Sequence, residues 1–414
     1  MGDHGKLRAI IIGSGLAGLT AARILREHHH VTVYERGDVG IATGGQGIML
    51  APNGVKILES IGYDRDRAGA VPIYGFRTYD KEGNVQMDMD MDLRPRFGAD
   101  CLAQKRSDFR DELIRLATAP SADLNIQGEP ANIVYNAAVV DLEPEGGIVT
   151  LSDGSTATAD VVIVADGVHS RLRNIVVGNN NHAAKKMGLT CYRVAVSTEE
   201  AKKALGHLPH WWDPSTSKNC TSMILASDGS PREVVAYPLR HETYFNLSCI
   251  IRTQESTKST TESWHADGDS AKMLEAFGDF NEPLRKILSA ATEVKVWELQ
   301  DLEPLPTWTR GRTMLIGDAA HAMSPMQGQG TNMSVEDAES LRLLAPGTRR
   351  EDVQDILKLA ESVRRPRAAQ ILAETRKAES DLGEAEAGQW DMDLNYGYNG
   401  IHEALKARQE HTNT

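Results

Sequence analysis

An α/β fold of two lobes is predicted, in which a parallel-strand lobe is interrupted by a mostly antiparallel one. Three observations predict it. The chain opens on a strand, a glycine turn, a helix and a second strand. Short apolar runs of parallel-strand character recur far downstream, near 160 and near 315. Between about 180 and 300 the pattern changes to alternating apolar and polar residues. The 414 residues, 41% hydrophobic and 25% charged, exceed most single cores and suit two packed lobes.

The run "RAIII" (8–12) has the character of a buried parallel strand. "GSGLAG" (13–18) follows as a turn. "LTAARILREHH" (19–29) sets Leu19, Ala22, Ile24 and Leu25 on roughly one face, as a helix would. "VTVYE" (31–35) is a second β-branched run, completing a βαβ unit of the usual size of about 30 residues. "PNGVKILESIG" (52–62) predicts a helix, and "IYGFRTYD" with "NVQMDMDM" a hairpin around 82–84. "RSDFRDELIRLA" (106–117) predicts a helix capped by Ser107 or Asp108. "ANIVYNAAVVDLEPEGGIVTLSDGS" predicts two strands around a turn, and "ADVVIVADG" (159–167) another buried strand. "LTCYRVAV", "TSMILA", "EVVAYPLR" and "YFNLSCII" predict an antiparallel sheet with one covered face. "KVWELQDL" leads back toward "TMLIGD", and long polar helices are expected from about 331 onward.

Charge and cysteine usage exclude several functions. A net charge of −13, with no basic run, disfavours nucleic acid and anionic membrane surfaces as partners. Cys101, Cys191, Cys220 and Cys249 form no zinc-type spacing and no disulfide framework. The apolar start runs straight into a glycine loop, so no signal peptide is read, and no segment reaches the ~18 apolar residues of a membrane span. A reducing, cytoplasmic setting is expected. His28, His29 and His30 invite a metal reading, but neighbours on a helix point about 100° apart, so a solvated helix end is expected instead. "MDMDMD" (87–92) sets Asp88, Asp90 and Asp92 on one face of a strand and Met87, Met89 and Met91 on the other, which fits a half-buried strand better than a calcium loop. No metal site is predicted.

The first chemistry-bearing stretch is GxGxxG in full context, after a strand and before a helix. Gly13 permits the tight turn. Gly15 lets backbone approach a pyrophosphate, and Gly18 lets helix and strand pack closely. Glu35, ending the second strand, is an acceptor for ribose hydroxyls. The pattern specifies a dinucleotide and leaves FAD and NAD both open.

A second stretch, "RTMLIGDAAHAMSPMQGQGTNMSVEDA", ends an apolar run in Asp318 and continues with small residues, a proline and glycines before a helix. It resembles the second FAD fingerprint of the group A flavoprotein aromatic hydroxylases. "ADVVIVADGVHSRLR" resembles their Asp-Gly motif, with Asp166, Gly167, Ser170 and Arg173 in order, and "YPLR", "ESW" and "DLNYGYNG" resemble the salicylate-hydroxylase-like branch, with fungal secondary-metabolism members among its kin. "HWWDPST" is not the halogenase signature. The resemblance implies a Rossmann-type FAD-binding lobe over 1–180, with a hairpin near 70–100 given to the substrate lobe. It implies an antiparallel substrate lobe over 181–300, a return to the FAD lobe over 301–345, and C-terminal helices over 346–414. It implies noncovalent FAD, bound by Gly13, Gly15, Gly18, Glu35, Arg36, Gly47, Ile48, Arg106, Asp166, Asp318, Pro325, Gly328, Gly330, Thr331 and Asn332. NAD(P)H is the transient co-substrate, and His321 is structural.

The same resemblance implies a monooxygenase that passes through a flavin C4a-hydroperoxide and inserts one atom of O2 into an aromatic or indole-like molecule. Arg193, on a strand of the inserted lobe, matches an arginine that faces the substrate in related fungal alkaloid monooxygenases; the alternative is an outward-facing arginine in a surface ion pair. Tyr237 carries the same choice between a catalytic role and core packing. An FAD oxidoreductase or cyclase without oxygen insertion, and a non-catalytic flavin-binding protein, are the rival classes.

Overall fold

The computed structural model describes residues 5–39, 46–253, 270–292, 294–380 and 391–412. A six-stranded sheet runs in the order Thr309–Arg310, Thr313–Leu315, Val161–Val164, Arg8–Ile12, His30–Tyr34, Asn132–Val134. All neighbours are parallel except the first pair. Residues near 10, 162 and 314 thus share one sheet, as the three distant apolar runs predict. Ile11, Val33, Val161–Val164 and Leu315 are buried from both sides, which is why these strands read as unbroken apolar runs.

The second large sheet has seven strands, in the order Val294–Asp301, Lys185–Ser197, Tyr244–Arg252, Glu233–Leu239, Cys220–Leu225, Gly75–Asp80, Val85–Asp90. It is antiparallel throughout except where Cys220–Leu225 meets Gly75–Asp80. Its outer face packs Tyr192, Val194, Val196, Phe245 and Leu247 against Trp211, Trp212 and the helix Glu282–Ala290. "HWWDPST" is therefore core: Trp212 stacks on Phe245 with ring centroids 4.6 Å apart. The inner face turns toward a small sheet of Gly47–Leu50, Cys101–Lys105 and Val71–Ile73.

Several local expectations are corrected. Neither Ser107 nor Asp108 caps the helix Arg106–Thr118; Lys105 is its N-cap and no side chain closes it. The segment around 131–155 yields three strands, because Asn132–Val134 joins the parallel sheet while Val139–Glu143 and Ile148–Leu151 pair with each other. His29 is not solvated. Its Nδ1 accepts from the Leu7 amide (3.2 Å) and its Nε2 meets the Leu344 carbonyl (2.8 Å), which fixes a neutral tautomer, and burial pushes its pKa down. The "MDMDMD" strand is an exposed sheet edge: Met87 lies out with Asp90, and only Met89 and Met91 turn inward, while Asp88 pairs with Arg77 at 2.7 Å.

The helix Gly330–Ser340 is not polar-faced. It is buried along almost its whole length, with Glu336 and Asp337 fully enclosed. Their partners come from the 28-residue helix Val353–Ser380. Arg364 ion-pairs with both carboxylates, Nε lying 3.0 Å from Asp337. Arg367 grips Glu336 through two bonds of 2.7 and 2.8 Å. Burial pushes both carboxyls up, but the arginines, and His321 at Asp337, override it and hold them below their ordinary values of 4.5 and 3.8.

Replacing Arg364 by Leu leaves two buried carboxylates short of a counter-charge and should cost about 3–5 kcal/mol in a denaturant melt. The native state also binds fewer protons than the unfolded chain at these two groups. Their stabilisation is therefore complete above the ordinary carboxyl range and falls away as pH drops through and below 4.5 and 3.8. Stability measured from pH 7 down to pH ~3 should show this loss in the wild type, and a smaller one in Arg364→Leu.

Candidate active site

The first glycine loop follows its expected physics position by position. Gly13 has φ +102°, and a Cβ there would lie 2.5 Å from the Ala165 carbonyl. A Cβ on Gly18 would lie 2.0 Å from the Gly13 carbonyl, so helix Leu16–Leu25 sits on the strand as closely as only glycine allows. Gly15 differs: nothing lies within 4 Å of its Cβ position, and it N-caps that helix with no side-chain cap. Backbone here is open to close approach, and the amides of a helix start favour an anion such as a phosphate. Glu35 accepts from Ser14 N and Ser14 Oγ, both at 2.8 Å, and from Gly37 N at 2.7 Å. Burial pushes its carboxyl up, yet these donors and Arg110 keep it below its ordinary value. Arg36 beside it is exposed.

The second fingerprint begins where Gly317, at φ +60°, turns the chain into Asp318. Asp337 holds this turn from behind. Its Oδ2 accepts from the Gly317 amide (2.9 Å) and meets His321 Nε2 (2.5 Å), so His321 is structural in geometry as well as in expectation. Arg173 clasps the turn to the Asp-Gly motif. Its guanidinium donates to the carbonyls of Ala319 (2.7 Å), Asp318 (3.0 Å) and Val168 (2.9 Å). Asp318 and Asp166 are thereby brought to one cleft, and the charge of Asp318 also supports Arg106, whose pKa burial pushes down.

Pro325 opens a turn closed by the Gly328 amide (2.9 Å), and Gly328 is exposed at φ +63° with nothing beside its Cβ position. Gly330 and Thr331 begin the buried helix. The Asn332 side chain accepts from the Ala51 amide and donates to the Gly328 carbonyl, both at 2.9 Å, which ties the start of this helix to the strand before Pro52 and to the turn before it.

Gly47 and Ile48 start the strand that faces the seven-stranded sheet. A Cβ on Gly47 would lie 2.6 Å from the Tyr237 ring and 2.8 Å from Asn246, and the Gly47 amide donates to Asn246 Oδ1 (2.9 Å). Arg193 reaches this junction. Strand pairing sets Arg193 opposite Ser248 and Tyr237 opposite Asn246, so all four share the inner face. Arg193 Nη1 donates to the Gly47 carbonyl at 3.4 Å, and no carboxylate among the described residues forms an ion pair with it. Tyr237 is buried among Ala51, Phe76 and Met223, and burial pushes its phenol pKa well up, so it stays protonated.

Several buried polar atoms lack a partner among the described residues: Asp166 Oδ1, Arg193 Nε, Gln46 Nε2, Gln327 Oε1 and Gln329 Nε2. Unmatched buried donors and acceptors are costly, and a large polar cofactor satisfies them. With the open space before helix Leu16–Leu25, the residues fit a dinucleotide carrying a hydrogen-bonding ring. Gln46, Gln327 and Gln329 were missed in the sequence reading, although "GGQG" and "MQGQG" offered a signal.

The family comparison agrees. Residues 6–375 match the FAD binding domain family, and the chain belongs to it. An FAD-dependent monooxygenase of Aspergillus candidus, cfoG, is 32% identical over 88% of this chain and 83% of its own. A 3-amino-4-hydroxybenzoate 2-monooxygenase of Streptomyces platensis is 30% identical over 91% and 88%. A salicylate hydroxylase solved with its substrate superposes with a TM-score of 0.75 over 97% of this chain and 98% of that one, at 24% identity, and shows the fold. The protein is an FAD-dependent monooxygenase. No described helix is long and apolar enough to cross a membrane.

Two substitutions separate binding from folding. Gly15→Val places its side chain in open space, so circular dichroism should match wild type while FAD affinity falls about tenfold or more, roughly 1.4 kcal/mol. Gly18→Ala drives a methyl into the Gly13 carbonyl and should lower both. Asp318→Ala removes a charged acceptor and should weaken FAD about tenfold in a flavin-fluorescence titration.

Proposed function

We propose that this chain inserts one atom of O2 into an aromatic or indole-like small molecule in a cytoplasmic setting. FAD, when bound, supplies the redox and oxygen chemistry; the protein supplies position, charge and exclusion of water. In this reading Glu35 and Asp318 accept cofactor hydroxyls at opposite ends. Gly13, Gly15 and Gly18 admit the phosphates, with Arg106 and Arg36 nearby, and the amides of Gly330, Thr331 and Asn332 stabilise charge on the ring. Gly47, Ile48, Asp166, Pro325 and Gly328 line the ring's surroundings. In the same reading residues 1–180, less the hairpin near 70–100, and 301–345 form the cofactor lobe, 181–300 with that hairpin the substrate lobe, and 346–414 the C-terminal helical region.

One observation carries the substrate assignment. Arg193 is a cation on the inner sheet face, beside Gly47, with a buried Nε–H that no atom of the described residues accepts. Such a donor suits an oxygen on an electron-rich ring, a phenolate above all, and its charge favours the deprotonated, more nucleophilic form of that ring. Tyr237 forms a protonated wall of the same pocket.

Oxygen uptake, NAD(P)H consumption and product mass across phenols, salicylate-type acids and indole alkaloids test the reading. NAD(P)H consumption without an oxygenated product from any of them would favour the oxidoreductase without oxygen insertion, and no NAD(P)H consumption with any of them the non-catalytic flavin-binding protein. Arg193→Ala should keep FAD and its reduction but slow product formation about 10²-fold, with hydrogen peroxide rising in its place. Arg193→Lys should restore only part of the loss, since a point charge replaces a planar fork. Full coupling in Arg193→Ala would remove Arg193 from the chemistry.

A further inference from the structure

Arg193 is held in an unusual way for a half-buried cation. Its guanidinium carbon lies 4.7 Å from the centre of the Trp297 ring. Strand pairing explains the stack: Arg193 faces Lys295 and Cys191 faces Trp297 across the same two strands, so Trp297 is the diagonal neighbour of Arg193 on one face. Among the described residues Arg193 also makes a long contact to the Gly47 carbonyl and a hydrogen bond to the Cys191 thiol. No carboxylate forms an ion pair with Arg193 among the described residues, whereas Arg364 has two and Arg367 has one. The nearby Cys191 thiol is too weak an acceptor to stand in for one.

The difference matters chemically. A carboxylate would orient the guanidinium but also neutralise it and consume its donors. An aromatic face orients it through the ring quadrupole and leaves the in-plane N–H groups free. We propose that Trp297 is a positioning residue, a neutral clamp that fixes the plane of Arg193 so that its N–H edge and undiminished charge meet a substrate oxyanion. The inference rests on the reading of Arg193 as substrate-facing. It makes the pocket a receptor for phenolate-type anions over neutral ethers of the same shape.

The test uses FAD-loaded protein titrated with 4-nitrophenolate, with 4-nitroanisole as the neutral control. Wild type should prefer the phenolate. Trp297→Leu keeps an apolar bulk without a ring face and should weaken phenolate binding about threefold to tenfold, while leaving the anisole, the FAD affinity and the rate of flavin reduction unchanged. Trp297→Phe keeps a ring face and should retain most of the preference. The double variant Arg193→Ala/Trp297→Leu should bind phenolate no worse than Arg193→Ala alone, because the tryptophan acts only through the arginine. No preference in wild type, or phenolate binding in Arg193→Ala equal to wild type, would overturn the reading of Arg193. A weak Arg193→Ala beside an unaffected Trp297→Leu, or losses that multiply in the double variant, would overturn the clamp alone. Parallel loss of anisole and FAD in Trp297→Leu, unrescued by Phe, would reduce Trp297 to packing.

Discussion

Everything at the cofactor face hangs on two adjacent carboxylates that never see water. Asp337 and Glu336 sit side by side on one buried helix and look in different directions. Asp337 holds the amide of Gly317 and the imidazole of His321, and so fixes the turn that presents Asp318. Glu336 takes the Asn53 side chain at 2.7 Å and so fixes the helix behind Gly47. Arg364 bonds to both and makes them one unit. A buried ion cluster is seldom the most stable way to fill a core, but it is a selective one, because a shifted helix would strand its charges. Here that selectivity is spent on the backbone around the second fingerprint.

A second device works without carboxylates. Arg173 is fully buried and donates to carbonyls on both the Asp-Gly loop and the Asp318 turn. Arg26 does the same elsewhere, bonding to the carbonyls of Leu116, Ala119 and Glu129. Both guanidiniums tie irregular loops to one another through backbone acceptors. Such loops have carbonyls to offer because no regular ladder uses them. The cleft thus has rigid walls although much of it is built from turns.

What could be read from the sequence was what is local. Gly13, Gly15 and Gly18 carry their meaning within six residues, and the structure gives each the space or the crowding that its position implies. The parallel strands were legible because burial on both faces leaves unbroken apolar runs. The misreadings share a cause as well. His29 looked solvated because its acceptor, the Leu344 carbonyl, lies 315 residues away. The helix Gly330–Ser340 looked polar because Glu336, Asp337 and Glu339 are matched by Arg364, Arg367 and Tyr398 from later in the chain. Polar residues conceal their burial whenever the partner is distant.

The pairing of Gly75–Asp80 with Cys220–Leu225 has a consequence for how the chain acquires its shape. That pairing is parallel and joins segments some 145 positions apart in sequence. The six-stranded sheet likewise waits for Thr313–Leu315, and Asp337 waits for Arg364. On a ribosome the first βαβ unit therefore emerges long before the neighbours that cover it. Neither lobe closes until nearly the whole chain is available, since contacts this remote demand that large loops be gathered first. For most of its synthesis the nascent protein lacks the segments that cover its apolar strands, the condition under which aggregation competes with folding.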